Sequence, residues 1–283
     1  MARVRGLIGI VIGASILAAV AGPNLSRQVP EPAVAQPLSP APTARPIADT
    51  TGDDIAVGDP VEASTPVEMP TLAPAQAERY AHWQELGVHF AGPWTAERLA
   101  LVLSVLDHFE QKIGATRFHQ LIEQAVAWHG TAGPTGLTIV ADPSHPHWIA
   151  GWRADLGEIT LYDSLYDPAH LEAHYRWRFV DDLANAEPEP VSQPAFAVAH
   201  ELGHLLADAL RQEHIARGES PDYLEERYEE TLSLNSWANP LQPSVNESLA
   251  SEIGLWVYGI RRPFQVRAYH DEVLAPAIRG EAP

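Results

Sequence analysis

The segment FAVAHELGHLLADAL, residues 196–210, is apolar around most of a helical wheel. At about 100° per residue, Val198, Ala199, Leu202, Leu205, Leu206, Ala209 and Leu210 cover all but one arc. That arc holds His200, His204 and Asp208, with Glu201 on its edge. A helix of this kind persists only when the fold surrounds it, so the segment predicts a central buried helix whose polar arc looks into protein or a cleft. Two imidazoles and a carboxylate in such a place are costly unless each finds a partner.

One zinc ion satisfies these groups together. Histidines at i and i+4 stand side by side and can both reach a tetrahedral ion, while the glutamate after the first histidine points to where an attacking water sits. A second pair in the chain fails the same tests. In HLEAH, residues 170–174, Glu172 comes two positions after His170, which turns it about 200° away, and the neighbouring YRWR is amphipathic. That pair reads as a solvated helix face. The chain has no cysteine, which excludes disulfides, thiolate ligands and a thiol nucleophile.

A catalytic zinc takes three protein ligands and leaves one position open. A histidine six residues past His204 is absent, because Leu210 stands there, and His214 is too far along the same helix. An acid from further along is required. In PSVNESLASEIGLWVYG, residues 243–259, Ser244 and Glu247 have the spacing of a capping box that opens a helix. On that helix Glu247 shares a face with Ser251, Gly254 and Tyr258, opposite Val245, Leu249, Ile253, Trp256 and Ile260. Glu247 is therefore either a ligand or merely a cap, and Glu252, flanking the apolar stripe, is the alternative ligand.

HELGH at 200–204 with Asp208 four beyond, then Asn246-Glu247 opening a later helix, resembles the gluzincin group of zinc metallopeptidases, typified by thermolysin and anthrax lethal factor. The resemblance covers two short motifs in the last third of the chain. It implies Zn2+ held by His200, His204 and Glu247, with Glu201 as general base and a protein or peptide as substrate. It implies a zincin-like fold: a small mixed or antiparallel sheet, an active-site helix and a helical C-terminal subdomain. It also implies a substrate-binding edge strand, for which GEITLY, residues 157–162, is the counterpart unless that run is only a half-buried strand. The chain departs from the pattern at Ser251, where an acid usually supports a metal-bound histidine. Asp208 is left to orient His204 or another neighbour, or to cap an amide, and Tyr258, Tyr228 and His270 are candidate donors to a developing oxyanion. A different class of protein remains open: a non-catalytic cell-envelope module in which zinc only locks the fold.

The rest of the chain frames this segment. No Phe, Trp or Tyr occurs before Tyr80, and residues 23–75 hold 11 prolines. Residues 22–75 therefore read as a disordered linker and 76–283 as the folded domain. Arg3 and Arg5, an apolar run over 7–20 and the small-x-small pattern at 19–21 give residues 1–21 the layout of a signal peptide, with an uncleaved membrane anchor as the alternative. Either implies a secreted or cell-envelope location. Loss of 1–21 would move the formal charge of −19 to −21, since two arginines go and no acid does. Such a chain repels nucleic acid, and it would meet a membrane only through the anchor. Helices are expected from Tyr80 onward, over 96–114, 116–129, 168–183, 221–234 and 245–260. The short runs 136–141, 147–152 and 157–162 are expected to pair as a meander. Helices, three strands, then helices predict an α+β domain.

Overall fold

The computed structural model describes residues 70–127, 136–145, 148–175, 183–184, 186, 190–233, 245–260 and 262–281. All belong to one compact unit, Val61–Pro283. The leader at 1–21, the linker up to residue 69 and residues 176–182 of the helix expected at 168–183 lie outside the described residues. The architecture is mixed α and β, mostly helical, with one small sheet. Among the described residues no helix is long and apolar enough to cross a membrane.

Four strands form the sheet in the order β1-β2-β4-β3. They are β1 Val88–Ala91, β2 Leu137–Asp142, β3 Ala150–Arg153 and β4 Glu158–Tyr162. β1 runs parallel to β2, with Phe90 opposite Ile139, and β2 runs parallel to β4, with Val140 opposite Thr160. β3 lies antiparallel on the outer side of β4, with Trp152 opposite Ile159. The sheet is thus mixed, and the expected meander is corrected: β3 does not sit between its chain neighbours. Burial explains the exchange. Ile159, Thr160, Leu161 and Tyr162 are all buried, so β4 has both faces covered and belongs inside the sheet, whereas AGWR is partly exposed and takes the edge. A tight turn over 154–157 returns the chain from β3 to β4, with Gly157 at φ 61°. β1 went unrecognised because four residues are too few to reveal a period.

The helices are α1 Pro74–Glu85, α2 Ala96–Ile113, α3 Ala115–Ala127, α4 Pro168–Tyr175, α5 Gln193–Ala216, α6 Tyr223–Ser233, α7 Val245–Val257, α8 Phe264–Tyr269 and α9 Ala275–Arg279. The first described helix begins at Pro74, inside the span read as linker, and it carries the buried Trp83 although its first turns are polar. Two short helices, α8 and α9, follow α7 and are joined through one wide turn, His270–Leu274. α2 and α3 carry the crossover between the parallel strands β1 and β2. Thr95 Oγ1 caps α2 by accepting from the Arg98 N–H at 3.2 Å.

α5 is the centre of the fold. Ser192 Oγ caps it by accepting from the Ala195 N–H at 3.3 Å, and from Phe196 to Leu210 nearly every side chain is buried. It packs against α2, α3, β3, β4 and, most extensively, α7. At its other end Arg117 of α3 donates to both carboxylate oxygens of Glu213, at 2.6 and 2.8 Å, and to the carbonyls of Ala277 and Ile278, at 3.1 and 2.7 Å. One guanidinium therefore ties α3, α5 and α9. The crossing with α7 is set by small residues. A Cβ added to Gly203 would lie 2.2 Å from the Ala250 carbonyl oxygen, and one added to Gly254 would meet Phe196 at 3.3 Å.

Gly203→Ala must push two backbones apart, so it is expected to destabilise the protein by roughly 1–3 kcal/mol. Gly254→Ala faces a side chain that can shift and should cost less. Urea midpoints of the two variants check the order.

Candidate metal centre

α5 supplies His200, Glu201 and His204, and α7 supplies Glu247 and Ser251. Because α5 is covered on its apolar sides, His200 and Glu201 are buried, at 8% and 5% exposure, while Glu247 at the open end of the cluster is half-buried. The close crossing at Gly203 and Ala250 brings the first turns of α7 over the two histidines. His200 Nε2 lies 3.0 Å from Glu247 Oε2, His204 Nε2 lies 3.3 Å from Glu247 Oε1, and the two Nε2 atoms are 3.1 Å apart.

These three donors can hold a metal ion: one ligand atom from each lies within 4.8 Å of the others. The spacing fits a tetrahedral ion. Nitrogen ligands about 2.0–2.1 Å from Zn2+ stand about 3.3 Å from one another. The chemistry fits as well, since two imidazole nitrogens and a carboxylate oxygen are donors that a zinc ion accepts. On the far side of its ring, His200 Nδ1 is 3.0 Å from Ser251 Oγ. A neutral His200 that donates Nδ1–H to Ser251 turns its Nε2 lone pair into the cluster. The residue that departs from the gluzincin pattern thus still supports a candidate ligand.

Electrostatics favour a cation. The two imidazoles hold Glu247 well below the usual carboxylate range, against the effect of its burial. Burial alone would lower His204, but Glu247, Glu201 and Asp208 outweigh it and raise its pKa. Burial raises Glu201, while the imidazoles and the Trp152 backbone N–H, which donates to its carboxylate, pull the other way. Glu201 is not among the converging donors.

Comparisons with protein families, with curated proteins and with solved structures find no match to this chain.

Sequence reasoning missed Trp152. Its indole N–H donates to Asp208 Oδ2 at 2.8 Å while its backbone N–H reaches Glu201, so one residue of β3 is fastened to two acids of α5. Asp208 does not orient His204 by a hydrogen bond. Its other oxygen accepts from Arg211 Nη1 at 3.0 Å. The only signal was a tryptophan in a strand otherwise made of small residues and an arginine. The geometry of β3 follows from its register. Tyr162 N–H donates to the Ile149 carbonyl at 3.0 Å, so alternation along the antiparallel ladder points the backbone groups of Ala150 and Trp152 away from β4. β4 is bonded on both sides and is no edge, which corrects the reading of GEITLY.

The alternative acid is engaged elsewhere. Glu252 is 1% exposed and accepts from Arg262 Nη2 at 2.8 Å, Arg262 Nε at 3.1 Å and Tyr228 Oη at 3.3 Å. His270 Nε2 adds a further contact at 3.0 Å. Tyr228 and His270, two candidate oxyanion donors, are thereby bound into the Glu252 cluster. The third, Tyr258, lies eleven residues beyond Glu247 with its ring 5.0 Å from that of His108. His214 is buried against Glu219 and stacked with Tyr223. His170 sits on α4, and the side chain of His174 lies outside the described residues.

Glu247→Ala is expected to abolish binding of one divalent ion per chain in equilibrium dialysis, and Ser251→Ala to weaken it about 10- to 100-fold. Glu252→Ala should keep the ion but lose about 3–5 kcal/mol of stability, because Arg262 stays buried without its carboxylate. Stability should also depend on pH through Glu252. Burial opposes its charge, but His270 and Arg262 outweigh that and depress its folded pKa. Its contribution is complete above the ordinary carboxylate range and is lost as pH falls through the folded value. Glu252→Gln should flatten that acidic limb in denaturant unfolding.

Proposed function

We propose that the chain is a zinc-dependent peptidase of the gluzincin type, with the described residues forming a zincin-like domain that hydrolyses peptide bonds. One observation carries the reading: two histidines from one turn of α5 and Glu247 from α7 converge, while Glu201 stands beside them outside the ligand set. A purely structural site has no use for a buried acid that does not bind the ion, and this favours hydrolysis over a module that zinc merely stabilises.

When bound, zinc supplies Lewis-acid polarisation of water and of the scissile carbonyl. His200, His204 and Glu247 would hold it, with the ring of His200 fixed by Ser251. Glu201 takes a proton from the attacking water at its carboxylate and returns it to the departing amine nitrogen. The Trp152 N–H keeps that carboxylate in place. The outward backbone groups of Ala150 and the Trp152 carbonyl pair with an extended peptide, so β3 takes the role that the sequence assigned to β4. The leader-like residues 1–21 favour an exported or cell-envelope protein.

Purified full-length protein should carry one zinc per chain by elemental analysis and cleave a quenched fluorescent peptide library. Glu201→Gln should retain the zinc while cleavage falls at least about 100-fold. Retained cleavage in that variant, or a zinc-loaded wild type that cuts nothing, counts against the proposal.

A further inference from the structure

The end of β3 carries an aromatic surface that the catalytic constellation does not use. Trp148, two residues before β3, is 51% exposed, although a tryptophan exposed to this degree is uncommon in a folded protein. It is not a loose side chain on a loop. Its ring centroid lies 5.8 Å from that of the buried Tyr162 and 5.7 Å from that of His145, and His145 and Tyr162 are 5.6 Å apart. Tyr162 and His145 meet at a near-perpendicular 80°, and Trp148 meets Tyr162 at 78°. The Trp148 backbone is fixed too, because Ser164 Oγ donates to its carbonyl. Three rings in mutual contact, two pairs edge-on and the His145–Trp148 pair tilted at 33°, thus hold an exposed indole in a defined place.

That place is continuous with the open edge of β3. Trp148 precedes Ala150 and Trp152, whose backbone groups point away from β4, and Trp152 is the residue that holds Glu201. Trp152 lies four positions beyond Trp148, a reach of no more than about 14 Å. A peptide lying along β3 in the same extended form covers that distance in three or four residues of its own. From this geometry we infer that His145, Trp148 and Tyr162 form a substrate shelf, which selects peptides bearing a large apolar or aromatic side chain three or four residues from the bond cleaved. The inference rests on the peptidase reading and names its substrate class.

The competing occupant is a basic side chain, because Asp142 stands opposite Tyr162 in the sheet. Its carboxylate is turned into its own chain, where Oδ1 accepts from the Ser144 N–H at 2.7 Å. The surface offered is therefore the rings, which favours an apolar residue.

The test separates binding from cleavage. Zinc-loaded, full-length Glu201→Gln protein is titrated with fluorescein-labelled decapeptides of Ala and Ser carrying one Phe, one Lys or neither, and anisotropy is read. The Phe peptide is expected to bind about fivefold tighter than the others. Adding Trp148→Ala should remove that ratio, Trp148→Phe should keep most of it, and Phe264→Ala, at an exposed aromatic on α8, should leave it intact. Wild-type protein is then given the same peptides and the cut is mapped by mass spectrometry. A Lys preference, or a Phe preference that survives Trp148→Ala, overturns the shelf. Cleavage at bonds unrelated to the position of Phe overturns it too and leaves the peptidase reading standing. A Phe preference lost in Trp148→Ala, with no bond cut by the wild type, keeps the shelf as a peptide-binding surface and removes the peptidase reading.

Discussion

Covering α5 on almost every side denies water to the polar groups of its one uncovered arc, and the surrounding elements are placed so as to replace that water. His200 receives Ser251 on one ring nitrogen and Glu247 on the other, both from α7. Glu201 receives a backbone N–H from β3, and Asp208 receives an indole N–H from the same residue. The sheet edge and the C-terminal helices therefore meet at one stretch of one helix. Gly203 makes this possible, since α7 could not approach within reach of His200 if a methyl group stood at that crossing.

The two acids of α7 show how placement divides similar groups between roles. Glu247 and Glu252 are five residues apart, about 140° around the helix. Glu247 faces the imidazoles and keeps one side toward solvent, where a small ion or a substrate can reach it. Glu252 is sealed, and a buried carboxylate survives there only because Arg262, Tyr228 and His270 surround it. Those partners come from α6 and from the segment after α7. The Glu252 cluster thus fixes the far side of α7 and holds Glu247 over the histidines from behind. Groups that look catalytic in isolation, a buried tyrosine and a buried histidine, are consumed in this fastening.

The sequence made some of this visible for local reasons. His200, Glu201 and His204 are legible because one helical turn relates them, and the apolar run around them announces burial. Glu247 was one of two open choices by pattern alone, because ligand and cap share one spacing, and only its partners 47 and 43 residues away separate it from Glu252. Trp152 was invisible as a site residue: its two acids lie 49 and 56 positions downstream, and nothing in AGWR marks which backbone N–H turns outward. α8 and α9 mix apolar, charged and proline residues over short spans, so no period stands out. The strands were found but misordered, since alternation reports which face of a strand is buried and not which strand lies beside it.

That misordering bears directly on the chemistry. In a meander β3 would lie between β2 and β4, and every backbone group of Trp152 would be spent on a ladder. Glu201 would then have no donor, and the sheet would present β4, whose buried side chains leave no room for a substrate, as its edge. Moving β3 to the outside frees alternate backbone groups, and the register decides which. Because Ile149 pairs with Tyr162 through hydrogen bonds, Trp152 is an outward position; a slip by one residue would turn Gly151 outward instead and carry the indole to the opposite face, away from Asp208. A catalytic role for Glu201 would thus depend on strand order and register together, and the hydrogen bond from the Trp152 indole to Asp208 is compatible only with that register.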